Sequence, residues 1–522
     1  MEVFSAEFTM QALWLGFRHT LLFFFIFFFS RVVYLFWLSP IVVKRQLSRS
    51  GGFDGPPPNF PLGNLMEMYK RVDVQTEPCI SHDIHATAFP YFAKWRKTYG
   101  KVFIYWLGTE PFLYVGEPEF LKKVSSGALG KKWGKPNVFR NDRKPMFGNG
   151  LIMVDGDDWT HNRHIIAPAF STNNLNAMFG VMVDSTTTML HQWSKFISMG
   201  IHKIDVEKDI TRNAAEIIAK TSFGISQEKG KKVFEKLQSM QIMLFKSNRL
   251  VGVPFSKILS PKQSYKAWKL GKEIDELLLE IISSRKKENN SESMDLLGLL
   301  LARKSSKEME RSEKKLSSRE LVDECKTFFF GGHETTALAL TWTLLLLGVY
   351  PEWQKVLREE IMEVTQGESL NSSMLSRLTK MGWVWNEVLR LYSPAPNAQR
   401  QAKEEIVVGE VVVPKGTNMW IDVVGIHHDQ ALWGDDVNEF KPERFKDNIN
   451  GGCMHRLGFM PFGFGGRICI GRNLTLMEYK IVLSLILSKF SISISPTYIH
   501  SPRIMLSLRP SQGVPLILHA LE

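Results

Sequence analysis

Near the end of a 522-residue chain a lone cysteine sits in a glycine-rich run, Phe462-Gly463-Phe464-Gly465-Gly466-Arg467-Ile468-Cys469-Ile470-Gly471. Glycine permits positive φ and close backbone approach, so this loop can aim several amide N–H groups at one sulfur and hold it as thiolate. Taken alone, a single cysteine is more often a small buried hydrophobe. A second cluster, Gly331-Gly332-His333-Glu334-Thr335-Thr336, lies in a segment of helical periodicity. Two glycines inside a helix cost roughly 1 kcal/mol each against alanine, which predicts that the backbone opens there. Thr335 follows Gly331 by four residues, so its hydroxyl can bond that carbonyl or donate to a bound molecule, bending the helix and leaving room beside it. Glu334 can then relay protons. Without a companion motif, a packing groove with a satisfied threonine explains the same letters.

Two other patterns fail on inspection. His333-Glu334 starts an HExxH zinc motif, but Ala337 stands where the second histidine belongs. Gly463-x-Gly465 and Gly148-x-Gly150 start a dinucleotide fingerprint, but Ile468 and Met153 replace its last glycine. The chain therefore borrows its electrons. Glu387 and Arg390 lie three apart on one helical face, an arrangement worth a few tenths of a kcal/mol at a surface. Trp159 and Arg163 are one turn apart.

Together these residues carry a resemblance. The run Phe462-x-x-Gly465-x-Arg467-x-Cys469-x-Gly471 fills every fixed position of the haem-binding signature of the cytochrome P-450 family, and the Gly331–Thr336 cluster is similar to that family's oxygen-activation sequence. The resemblance covers residues 57–521. It implies haem b with Cys469 as axial thiolate ligand, a ligand that pushes electron density into iron and favours O–O cleavage. Phe462, Gly465 and Gly471 would shape the cofactor loop. Arg467, Trp159, Arg163 and Arg400, ten residues past Arg390, would meet haem propionates, and Glu334 and Thr335 would be the catalytic proton path. Arg444, in Lys441-Pro442-Glu443-Arg444-Phe445, would join Glu387 and Arg390 in a buried structural cluster, where losing one member strands a charge at about 3 to 5 kcal/mol.

Stretches such as 101–112 and 159–170 most resemble the plant seventy-two clan, in particular its seven-one-five family. That resemblance implies a monooxygenase hydroxylating a small hydrophobic substrate, a terpenoid or plant-hormone-like lipid. Oxygen and electrons from NADPH-cytochrome P-450 reductase would drive it, with cytochrome b5 as a second donor and no nucleic acid as partner. The segment Ser393-Pro394-Ala395-Pro396-Asn397-Ala398-Gln399 departs from the apolar run usual in relatives and would place an amide or two near the substrate. Two alternatives stay open: a haem-thiolate isomerase or dehydratase working without reductase, for which Glu334-Thr335 would be unneeded, and a non-catalytic haem sensor.

Residues so far apart demand a large body to bring them together, and 44% hydrophobic with 11% aromatic residues supplies its core. Helical periodicity spans 170–193, 203–222, 265–286, 319–348, 351–364, 378–391 and 474–490, with short strands at 101–107 and 407–413, the second turning at Gly409. Ser317 and Glu320 fit a capping box opening the 319–348 helix. Charged segments 285–293 and 303–318 read as solvated loops. The expected fold is mainly α with a minor β region: a single large haem domain, 63–522, behind an anchor, 1–50, and a stiff proline hinge, 51–62. The apolar run 21–38 nearly matches the roughly twenty residues a bilayer requires. Lys44, Arg45 and Arg49 just after it predict a single pass with the body on the cytosolic side of the endoplasmic reticulum membrane. Four scattered cysteines suit that reducing side, and sequons at Asn289, Asn371 and Asn473 would stay unmodified there. The net charge of +12 offers a basic surface for anionic lipid or an acidic partner.

Overall fold

The computed structural model describes residues 2–70, 80–225, 227–246, 250–287, 295–302 and 316–521; Cys79, Asn289 and most of the two expected charged loops lie outside them. Among the described residues helices dominate, and four sheets make up the β region. The N-terminal helix runs Glu2–Val33, passes through a π-helical stretch Tyr34–Leu38 and continues as Ser39–Gly51. Residues 13–49 are the one stretch among the described residues long and apolar enough to cross a membrane. Seven consecutive residues, Phe23 to Phe29, are each more than half exposed there. Water penalises such a surface and lipid does not.

The proline segment after this helix is docked rather than free. Ile104 N donates to Asp54 O at 2.9 Å, and a Cβ on Gly55 would stand 1.9 Å from the Ile104 carbonyl oxygen, so only glycine allows the approach. Leu47 and Phe53 are buried in the same apolar cluster as the sheet residues Ile104 and Leu113. The N-terminal helix is thereby tied to the main sheet.

That sheet contains β1 (Val102–Leu107), β2 (Glu110–Val115), β3 (Trp133–Gly134), β4 (Asn397–Ala402) and β5 (Asn418–Asp422), in the order β1-β2-β5-β4-β3. Only the β2–β5 pair is parallel. Aromatic and β-branched residues suit the pleated, half-buried surface; Phe103 and Tyr114, opposite each other, stack at 4.4 Å. Residues 406–413 form the expected hairpin, turning at Gly409 with φ 61°. A last hairpin, β6 (Pro502–Met505) and β7 (Ser507–Pro510), matters for the site below.

Seven helices place the functional residues: α1 (Asn137–Phe147), α2 (Gly156–Ile166), α3 (Val206–Phe223), α4 (Gln227–Lys246), α5 (Ser318–Val349), α6 (Thr379–Leu391) and α7 (Arg472–Leu487). The 32-residue α5 starts at the capping box, with both reciprocal bonds between Ser317 and Glu320 formed. Its flanks pack against α3, α6 and α7, so nearly every face is apolar and buried, as befits a helix through the middle of a domain.

Three expected helices have different limits. The 170–193 stretch is a 3-10 turn Ala167–Phe170, a short helix Thr172–Ala177 and a helix Phe179–Ser198. Pro168 and a run of asparagines interrupt it; Asn174 Nδ2 donates to Pro168 O at 2.9 Å, competing with the helical ladder. Lys203–Asp205 is a strand paired with the C-terminal strand Pro515–Ala520, so α3 begins only at Val206. Phe490 opens a strand, Phe490–Ile494, and α7 ends at Leu487.

Candidate active site

The cysteine loop folds on its glycines. Gly463 and Gly465 take φ of 75° and 65°, a region closed to most side chains, and the turn returns Cys469 N to Phe462 O at 3.0 Å. The backbone N–H groups of Gly471 and Arg472 face the sulfur. Burial pushes the Cys469 thiol up; those two amides and the guanidiniums of Arg163 and Arg472 pull it down. The side chain is nonetheless accessible although protein surrounds it, which means that it faces an interior opening. Cys325 is buried and Cys453 half-buried, and all three described cysteines are free thiols.

The glycine-rich part of α5 forms a window in an otherwise covered helix. Gly331 is exposed, and Gly332 and Thr335 are partly so, while His333, Glu334 and Thr336 are buried. A Cβ on Gly331 would project into open space, whereas one on Gly332 would meet Ile218 Cδ1 of α3 at 2.4 Å. The expected opening of the backbone does not occur: α5 is continuous through both glycines. One glycine admits a neighbouring helix and the other leaves space. The Thr335 hydroxyl donates to Gly331 O at 2.7 Å. The Thr336 hydroxyl approaches Thr475 of α7 at 3.4 Å, so the window adjoins the helix that follows the cysteine.

Glu334 turns elsewhere. Its Oε1 accepts from Ser507 Oγ at 2.6 Å and Gln241 Nε2 at 2.9 Å, with Arg509 Nη1 at 3.9 Å. Despite complete burial its carboxyl is held below the usual range, because Arg509, His333 and these two donors together outweigh desolvation.

Cations converge beside the loop. Arg467 donates to Val154 O at 2.7 Å and lies 4.9 Å over the Trp159 ring. Arg400 is buried, donates among the described residues only to the neighbouring Gln399 O at 2.9 Å, and stands over Phe464. Burial and mutual repulsion lower Arg400 to about 10, and burial lowers Arg467 to about 10. Lys135, between β3 and α1, is pushed far down by burial and by Arg400, Arg467 and Arg143. Asp155 offsets part of this charge but already serves Arg140, Lys403 and the Lys135 backbone N–H. Clustered interior cations in such number fit a ligand with two carboxylates. With an accessible cysteine beside amide donors, they fit iron protoporphyrin IX. Arg163 is placed differently from the other expected propionate partners: its Nη1 donates to Ile468 O at 3.0 Å, next to the cysteine.

Phe462 is half-buried against the main core and 6.2 Å from the Trp385 ring of α6. Gly465 opens the turn, and a Cβ on Gly471 would be 3.9 Å from the Cys469 sulfur. Behind the loop, Glu387 and Arg390 are fully buried and joined by two bonds, 2.7 and 2.8 Å. Arg390 also donates to the carbonyls of His427, Val437 and Glu439. Glu387 accepts from Lys441 N at 2.9 Å. Arg444 Nε comes within 3.4 Å of Glu387 without hydrogen-bond geometry, and its firmer ion pair is with Asp436 at 2.7 Å.

The sequence offered no sign of Lys135, one lysine among several, nor of Gln241 in a helix that its letters did not announce. Ser507 and Arg509 share one face of a strand, a two-residue period that marks the face but not its target. In the 393–399 segment Gln399 Nε2 donates to Asn397 Oδ1 at 2.7 Å, and Gln399 Oε1 accepts from Arg143 Nη1 at 3.1 Å. Arg143 lies over the rings of Phe139 and Phe245, joining α1 and α4.

Comparison with known proteins places these features in context. The family model described as Cytochrome P450 matches residues 80–514. A protein named "Cytokinin hydroxylase" from Arabidopsis thaliana is 38% identical over 499 residues, 93% of this chain and 94% of the relative. "Cytochrome P450 714B3" from Zea mays is 35% identical, covering 93% of each. "Cytochrome P450 734A1" from Arabidopsis thaliana is 34% identical, covering 92% of each.

Proposed function

The chain belongs to the cytochrome P-450 family, haem b monooxygenases with a cysteine thiolate ligand, and from that premise we propose which residues do the work and on what. Cys469 is the axial ligand, and the amides of Gly471 and Arg472 with Arg163 favour its anionic form. Arg400, Arg467 and Lys135 take the two propionates, Trp159 supports Arg467, and Phe462, Gly465 and Gly471 shape the loop. The bound haem supplies dioxygen activation with electrons from a reductase. The Thr335 hydroxyl, rotating away from Gly331 O, holds a proton at the window, and Glu334 resupplies it. Glu387, Arg390 and Arg444 keep the cysteine side rigid.

The substrate is an apolar terpenoid or plant-hormone-like molecule that carries a polar group. Support comes from the Arg143–Gln399–Asn397 array among phenylalanines and from the names of the relatives, which include cytokinin hydroxylases. Similarity to the plant seventy-two clan and its seven-one-five family remains our finer reading. Residues 1–50 anchor the protein in the endoplasmic reticulum membrane, 51–62 link them, and 63–522 form the catalytic body facing the cytosol. NADPH-cytochrome P-450 reductase, with cytochrome b5 as second donor, docks on the basic cysteine side.

The observation that carries this reading is the meeting of an accessible cysteine, a threonine window in a buried helix and a cation cluster in one interior region. Its test is turnover with reductase and NADPH across cytokinin, gibberellin-type and brassinosteroid panels, preceded by a spin-shift screen. A hydroxylated product that requires NADPH is the expected outcome. Conversion that proceeds equally without reductase would assign the chain to the isomerase class.

A further inference from the structure

Two tryptophan–tyrosine contacts lie deep in the helical core, and they differ in what surrounds the phenol. Trp385 of α6 and Tyr479 of α7 have ring centroids 4.4 Å apart, and the Tyr479 hydroxyl meets the Thr343 hydroxyl at 3.1 Å, a group that cannot store a proton. Trp342 of α5 stacks on Tyr392, the residue after α6, at 4.4 Å and 19°, and this phenol is set among bases. Its oxygen is 2.7 Å from His82 Nδ1 and 3.3 Å from His500 Nε2. The far nitrogens of the same imidazoles reach two further phenols, Tyr350 from His82 Nε2 at 2.9 Å and Tyr498 from His500 Nδ1 at 2.8 Å. Trp342 and Tyr392 are fully buried, whereas Tyr350 and Tyr498 are half-buried at the edge of the core. Burial lowers His82 to about 4, helped by repulsion from His500, His428 and Arg390, and burial lowers His500 to about 4. Both rings are therefore neutral at ordinary pH, and each keeps a nitrogen able to accept a proton. Trp342 also stands in line with the window. It follows Thr335 by seven residues, two turns of helix, which returns it to nearly the same face about 10 Å along α5.

We propose that Trp342, Tyr392 and the His82–His500 pair form a drain for oxidising equivalents, carrying a surplus from the haem to the surface when no substrate consumes it. This function stands beside the hydroxylation and takes from that reading only the haem at the α5 window. Trp342 gives one electron to the haem centre, which is reduced by one equivalent, and becomes a radical cation. Its indole N–H donates to Leu508 O at 3.1 Å, and a carbonyl oxygen does not take up that proton, so the oxidised ring keeps its charge and stays a strong oxidant. Tyr392 then gives an electron to Trp342 and its O–H proton to His82 Nδ1, leaving a neutral tyrosyl, an imidazolium and a restored indole. An oxidised phenol is a strong acid, so a base at 2.7 Å makes Tyr392 the favourable stop that Tyr479 is not. Tyr350 next gives an electron to Tyr392, which takes its proton back from His82, while the Tyr350 proton leaves to water. A soluble one-electron reductant of the ascorbate or thiol class returns the electron to Tyr350, and water returns the proton. The sum is one electron moved from that reductant to the haem centre. His500 and Tyr498 offer a second exit on the same terms.

The test reads the radical rather than a product. Substrate-free holoenzyme is mixed with an organic peracid, which supplies oxidising equivalents directly at the haem, and frozen during the reaction. Electron paramagnetic resonance should then show a tyrosyl signal that narrows when the tyrosines carry ring deuterium. Tyr392→Phe should lose that signal and leave the oxidation on tryptophan, and Trp342→Phe should lose both. His82→Gln combined with His500→Gln keeps hydrogen-bonding side chains but removes the bases, and it too should lose the tyrosyl, a result that a purely packing role does not give. Tyr350→Phe combined with Tyr498→Phe should keep the tyrosyl but make it outlast an ascorbate chase that quenches the parent. Haem bleaching per peracid consumed should rise several-fold in the variants that lose the tyrosyl. An unchanged tyrosyl signal in Tyr392→Phe or Trp342→Phe protein that keeps its carbon-monoxide band and melting temperature would overturn the proposal, and so would a parent enzyme in which no tyrosyl forms.

Discussion

Replacing Arg390 with methionine tests whether the buried charge cluster supports the cysteine side. The guanidinium is fully buried, makes both bonds to Glu387 and satisfies three backbone carbonyls from 427–439, the segment leading toward the cysteine loop. Methionine fills similar volume but leaves the Glu387 carboxylate with only Lys441 N and the more distant Arg444. Stranding a buried charge costs about 3 to 5 kcal/mol, against a typical total of about 5 to 15. An unfolding entropy of roughly 2.1 cal/mol/K per residue over a body of about 460 residues converts each kcal/mol into about 1 °C. The midpoint should therefore fall by about 3 to 5 °C. Haem retention, read as pigment per protein, should fall with it. Glu387→Leu combined with Arg390→Met should cost less than the two single changes added together, since no charge is left unpaired. The measurement is thermal unfolding by circular dichroism of the singles and the double. A single variant within 1 °C of the parent, or additive losses in the double, would refute the claim that pairing of these charges carries the stability.

Three further outcomes follow from the same structure. Cys469→Ser should abolish the ferrous carbon-monoxide band of thiolate ligation, and Thr335→Ala should keep that band while diverting NADPH from product to peroxide; absorption spectra and peroxide assays read these. Glu324 of α5 accepts from Leu151 N at 3.0 Å and Asn162 Nδ2 at 2.9 Å, and burial raises its carboxyl to about 7. A raised folded pKa gives stability that is complete below the unfolded value near 4.5 and is lost as pH rises through 7. That loss is on the order of 3 kcal/mol, and Glu324→Gln should flatten it in denaturant titrations at pH 5 and pH 8.

The parts of the site visible in the sequence are those where local chemistry and function coincide. The cysteine loop announces itself because its left-handed turns at Gly463 and Gly465 favour glycine over residues with a side chain, and the α5 capping box because Ser317 and Glu320 satisfy each other three residues apart. Helix limits failed where a distant strand decides. Lys203–Asp205 has helical periodicity but pairs with Pro515–Ala520, more than 300 residues away, and no local pattern encodes that choice. The proline segment reads as a tether, since nothing in Pro56-Pro57-Pro58 reveals that Asp54 bonds to β1.

Glu334 shows the same limit at the site itself. Its neighbour Thr335 is explained within four residues, by a bond back to Gly331. The carboxylate, by contrast, is governed by Gln241, Ser507 and Arg509, drawn from two elements about 90 and 175 residues away on either side. A group buried without charge compensation would take up a proton and lose its value as an acceptor. Its ionisation is thus a property of tertiary assembly, and the sequence motif fixes where the carboxyl stands but not the state in which it waits. Removing Arg509 while leaving the motif intact separates those two contributions.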